Sequence, residues 1–172
     1  MKKLFYLLLL TAFILPSCQP EPKYLTVEEV KKEEADIVKV LYVYNKASED
    51  KNFAELLKTL ADSVVFFGSD QGEVIKTFAD YKDAIQKQWE EYEYTKYGEI
   101  TDLFIAMDNK ATIASVIYGV PLDAKLKNGI QEQVFLRASR TLRKQNEKWV
   151  IVSGITSIPR AKPEVQPQNS SQ

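Results

Sequence analysis

The sequence predicts an α+β domain, with three helices in its N-terminal half packed on a strongly curved, mainly antiparallel sheet. Three observations carry this. Apolar residues recur at helical spacing as far as about Tyr92, and after Gly98 the period changes to two. The later apolar runs are joined by short turn-like links, Asp108-Asn109-Lys110, Leu126-Lys127-Asn128-Gly129 and Gln145-Asn146-Glu147, which imply antiparallel hairpins. Strands of ten or more residues must coil, and a coiled sheet backed by helices encloses a concavity where a ligand would sit.

The elements follow in order. Thr26-Val27-Glu28-Glu29 has capping-box spacing, and Val30, Ile37, Leu41 and Tyr44 then give a helical apolar face to about Ser48. A second, short helix is expected over Asn52 to Ala61, with Phe53, Leu56, Leu57 and Leu60 on one side. Val64 to Phe67 reads as a short strand stopped by Gly68. Tyr81, Ala84, Ile85, Gln88 and Trp89 predict a third helix from about Asp80 to Tyr92. The segment from Tyr92 to Tyr97 reads as a helix end and linker, whose tyrosines suit an interface. Four strands follow, Glu99–Met107, Ala111–Leu122, Ile130–Lys144 and Lys148–Ile158.

The ends of the chain carry different signals. Lys2 and Lys3 precede an apolar run from Leu4 to Leu15, too short to span a bilayer and suited to a signal peptide over residues 1–17. Leu15-Pro16-Ser17-Cys18 resembles the lipobox of bacterial lipoproteins, which implies cleavage before Cys18 and its lipidation. As the single cysteine, Cys18 can form no internal disulfide. Gln19 lacks the aspartate that retains lipoproteins at the inner membrane of enteric bacteria, so the expected location is the envelope, with the outer membrane preferred. Residues 18–25 read as a tether, 26–160 as the domain and 161–172 as a disordered tail. Cleavage removes two lysines, leaving 21 basic against 24 acidic residues, a net charge of −3. With the signs interleaved and no basic stripe, nucleic acid is a poor partner.

Several short segments are similar to the SnoaL-like branch of the nuclear transport factor 2-like superfamily. They are Tyr44 to Asp50, Val64 to Glu73 (VVFFGSDQGE), Arg137-Ala138-Ser139, and the terminal run from Lys148-Trp149 to Pro159. The resemblance spans roughly Glu29 to Pro159 and implies a cone of three helices and a bent sheet with a pocket between them. Relatives include isomerases, dehydratases and polyketide cyclases as well as binding and dimerisation domains, so the fold leaves activity open. Several members carry two histidines in the terminal strand, where this chain has Ser153 and Ile155.

The chain has no histidine, and its one cysteine is assigned to lipid. Imidazole or thiolate zinc sites and Ser-His-Asp or Cys-His schemes are thereby excluded, and no calcium or phosphate loop is present. No metal or cofactor is expected. A carboxylate base remains for an enzyme of the isomerase, dehydratase or cyclase kind: Asp70 after the Phe67-Gly68 strand end, or Asp102, in step with Ile100 and Phe104. Glu73 reads as a turn residue. Arg137 alternates with Phe135, Ser139 and Thr141 and would offer a carboxylate a planar donor fork if it faced inward. The opposite face, Val134, Leu136, Ala138 and Leu142, is the better core set, so pattern turns Arg137 outward while the resemblance turns it inward. The leading expectation is a small, partly apolar ligand, bound without catalysis by Tyr44, Phe67, Trp89, Tyr118, Arg137, Ser139 and Ser153. The rivals are the carboxylate enzyme and a homodimer or partner-binding module using the sheet's outer face, for which exposed apolar residues along Ala111–Leu122 would speak.

Overall fold

The structure, a computed structural model, describes residues 24–160. The signal peptide, Cys18, most of the tether and the tail lie outside the described residues. Helix α1 spans Val27–Glu49, and Thr26 and Glu29 close the expected capping box in both directions. Its inward face changes character along its length: Ile37 and Leu41 are fully buried, and Tyr44, Asn45 and Ser48 continue that face with polar groups.

Helix α2 is only Phe53–Leu57, shorter than expected, because the chain enters strand β1 (Leu60–Phe67) where the longer helix was predicted to continue. Leu60 and Ala61 are therefore buried strand residues, continuous with the strand expected at Val64 to Phe67. Strand β2 (Val74–Ile75), absent from the sequence reading, closes a hairpin on β1. Helix α3 (Phe78–Glu91) starts at a second capping box, Thr77 with Asp80.

The segment expected to be a linker is strand β3 (Tyr92–Tyr97), which begins at the residue ending α3. The helix end is held by Lys51, whose ammonium donates to the carbonyls of Trp89 and Tyr92 at 2.9 and 2.7 Å. Strands β4 (Thr101–Met107), β5 (Ile113–Leu126), β6 (Gln131–Gln145) and β7 (Lys148–Ser157) follow as expected. The order is β2-β1-β7-β6-β5-β3, with β4 also on β5; β1 and β7 are parallel and the other pairs antiparallel.

Strand β5 is long enough to take β4 along one half and β3 along the other. Pro121 sits between those partners, and its carbonyl accepts from Gly98 N–H at 2.8 Å. Its missing N–H falls where one partner has ended and the other has not begun, so no ladder bond is lost. The core lies between the three helices and the inner faces of β1, β5, β6 and β7.

Candidate functional site

Where the inner sheet face meets the polar end of α1, the core stops being purely apolar. Strand β6 sends Leu136, Ala138, Arg140 and Leu142 inward, and Arg140 is only 6% exposed. Arg137 is on the other face and exposed, as the strand pattern indicated and contrary to what the resemblance implied. Ser139 shares that outer face. Sequence reasoning missed Arg140, although the signal was there: a charged residue in phase with the better core set.

Strand β7 corrects a second expectation. Thr141 pairs with Ser153 but Leu142 pairs with Ile151, so Val152 is the extra residue of a β-bulge. The bulge breaks strict alternation, under which Ser153 and Ile155 would share the inward face of Trp149 and Ile151. Beyond it Gly154 and Thr156 stand inward, paired with Arg140 and Ala138, while Ser153 and Ile155 turn outward.

The Arg140 guanidinium lies against β7. Nη1 donates to the carbonyls of Ser139 and Ile155 at 3.0 and 2.9 Å, and Nη2 to the Thr156 hydroxyl at 2.9 Å. Its Cζ stands 6.0 Å from the Tyr44 ring centre and 5.5 Å from that of Phe66, within cation–π range. No carboxylate among the described residues pairs with it. Around it are phenols: Tyr81 donates to the Tyr44 hydroxyl at 3.2 Å, and Tyr118 is 3% exposed. Burial raises the Tyr118 hydroxyl above its ordinary value, and the Arg140 charge offsets part of that. Burial, with Tyr44 close by, pushes Tyr81 above the phenol range, and burial does the same for Tyr97. All three are therefore neutral O–H groups at physiological pH.

The helices and the curled sheet enclose this interior, as the cone expected from the sequence requires. Beside it a groove of about 200 Å³ is lined by Tyr42, Asn45, Lys46, Glu49, Tyr97 and Gly98. Tyr97 joins groove to interior: its ring borders the groove, and its buried hydroxyl feels Tyr44, Ser48, Tyr118 and Arg140. Glu49 on the groove wall accepts from Tyr97 N–H at 2.6 Å and lies 3.5 Å from the Lys46 ammonium. A larger groove of about 380 Å³ lies outside the cone, along α1 and the start of α2.

The other expected residues lie elsewhere. Phe67 is 49% exposed on the outer sheet face. Trp89 packs edge-on to Phe53 and donates to the Ser48 carbonyl at 3.1 Å, among the helices. Asp70 is exposed in the β1–β2 turn, whose ends are tied by Glu73. Asp102 is exposed, with φ of 49° at an irregularity between Thr101 and Phe104 that breaks its phase with its neighbours. Neither aspartate reaches the interior. Among the described residues, no three His, Cys, Asp or Glu side chains group to hold a metal.

The sequence profile of the SnoaL-like domain matches residues 37–161, well over half of the chain. The chain belongs to the SnoaL-like family. Solved structures share its cone. A Novosphingobium aromaticivorans DSM 12444 protein, provisionally named a scytalone dehydratase, is 12% identical with a TM-score of 0.72, over 86% of this chain and 100% of that one. A type 2 hexachlorocyclohexane dehydrochlorinase (LinA) is 13% identical with a TM-score of 0.69, over 84% and 99%. A nuclear transport factor 2-like protein of unknown function from Pseudomonas putida KT2440 is 17% identical with a TM-score of 0.63, over 80% and 98%. At such identities the likeness concerns the fold alone. No curated protein matches the chain.

Proposed function

We propose that this SnoaL-like domain binds a small, partly apolar molecule without transforming it, and is held at a bacterial envelope, preferably the outer membrane, through a lipidated Cys18. The observation that carries the binding reading is the interior's donor set: Arg140 and buried, protonated phenols, with no buried carboxylate among the described residues. Donors without a proton acceptor can orient an acceptor-bearing ligand but have nothing to remove a proton from it. The enzyme reading needed Asp70 or Asp102 in an apolar pocket, and both are exposed.

Incubation of the purified full chain with envelope extracts, followed by native mass spectrometry, should retain one small molecule per chain. A chain that stays unliganded, with a melting temperature that no extract fraction raises, would end this reading. Labelling of cells with an alkyne fatty acid should mark the wild type and not Cys18→Ala; equal labelling would remove the anchor.

A second reading, self-association, rests on a different observation. Phe104, Ile117, Ile155 and Phe67 are 70, 55, 53 and 49% exposed and lie in register across the outer face, with Ser139 between the two isoleucines. A two-fold contact would lay this row on its own copy. A strict monomer in solution would exclude it.

A further inference from the structure

Among the described residues, two buried side-chain atoms lack a hydrogen-bond partner, Asn45 Nδ2 and Arg140 Nε. Both are N–H donors, so what the site lacks is an acceptor. Tyr97 is the neighbour that their surroundings share. Asn45 lines the groove of about 200 Å³ with Tyr97, and Tyr97 carries that wall inward to Arg140.

The orientation of Arg140 sharpens this. A guanidinium has five N–H bonds, and the three hydrogen bonds made here use both of Nη1 and one of Nη2. Nη1 and Cδ are pressed against Gly154, where a Cβ would come within 2.7 Å of each. The opposite edge, Nε with the second N–H of Nη2, is the edge on which arginine takes a carboxylate through two parallel bonds. The cation is 6% exposed with no carboxylate partner among the described residues, so its lost hydration is offset by carbonyls, the Thr156 and Tyr118 hydroxyls and ring faces.

We propose that the Nε–Nη2 edge of Arg140 is the seat of a monoanionic oxyanion, a carboxylate carried on a flat apolar body. Arg140 is the only charged residue buried among the described ones, so a single negative charge is matched and a phosphate dianion is not. A carboxylate paired side-on is coplanar with the guanidinium. The rest of the ligand therefore enters the layer bounded by the Tyr44 and Phe66 rings. Tyr97 must swing aside to admit it, and Asn45 Nδ2 meets an acceptor at the outer end. Glu49 at the rim does not repel it outright, since its charge is shared with Lys46 and the Tyr97 N–H.

This inference rests on the binding reading and names the ligand's polar end. Its test is a titration of the full chain with benzoate and, separately, benzamide, following the side-chain Nε–H resonance of Arg140, assigned by its loss in Arg140→Lys. Benzoate should move that resonance and bind about tenfold or more tightly than benzamide. The preference should vanish in Arg140→Gln and weaken in Arg140→Lys, which keeps the charge but not the fork. Should either variant fail to fold, the Nε–H resonance is assigned in the wild type by through-bond correlation to the Arg140 side chain, and its response to benzoate still decides. Equal effects of acid and amide overturn the anion site and leave ligand binding standing. Benzoate shifts confined to residues away from Arg140, or an Nε–H resonance unmoved by benzoate, overturn it too. The extract experiment judges the binding reading independently.

Discussion

Opposite Arg140 across the β6–β7 ladder stands Gly154, and a Cβ there would meet Arg140 Cδ and Nη1 at 2.7 Å and the Ser139 carbonyl oxygen at 2.9 Å. The side chain could shift, but the carbonyl belongs to the neighbouring strand. Gly154→Ala should therefore cost about 1–3 kcal/mol, measured by denaturant unfolding, and should displace the guanidinium from the Ile155 carbonyl. A neutral substitution would mean that the close approach is relaxed in solution. At this scale the sequence was legible in parts. Tyr44 and Tyr118 were expected to border the concavity as ligand contacts, and both stand beside Arg140. Arg137 and Ser139 were named, yet the inward arginine is three positions on, where the apolar phase of β6 already pointed.

At the scale of the element, α1 is fastened to β6 and β7 by a polar clamp. Glu33 on α1 accepts from Lys144 of β6 at 2.6 Å and from the Trp149 indole of β7 at 2.7 Å, and the ammonium lies 5.3 Å from the Trp149 ring centre. Burial would raise the Glu33 carboxyl, but the hydrogen bonds from Lys144 and Trp149, with the Lys144 charge, together hold it below its ordinary value of 4.5. A lowered carboxyl means that the clamp's contribution is complete above that ordinary value and is lost as pH falls through the folded one. Glu33→Gln should cost about 1.5–3 kcal/mol at neutral pH, and the gap to wild type should narrow on acidification, read from urea midpoints against pH. A constant gap would exclude the linkage. Helix α1 was legible because its cap and spacing are local. Strand β3 was not, since Tyr92 to Tyr97 become a strand only by pairing with the far half of β5. The bulge at Val152 likewise shows only in pairing with β6.

Across the whole molecule, the outer row of Phe104, Ile117, Ile155 and Phe67 joins strands distant in sequence into one apolar band. If two copies meet there, Ile117→Lys should weaken association by about 1–3 kcal/mol, seen by sedimentation of the full chain in density-matched detergent. Folding stability should change by no more than about 0.5 kcal/mol, because the side chain is already exposed. An unchanged dimer would place the contact elsewhere. The sequence by itself determined the cap of α1, the antiparallel meander, the want of any histidine and the family, because these depend on residue type and near-neighbour spacing. Only the tertiary structure decided which arginine is buried, which face Ser153 takes and where Asp102 points. Each of those depends on strand register, and one extra residue in a ladder sends every later side chain to the other face.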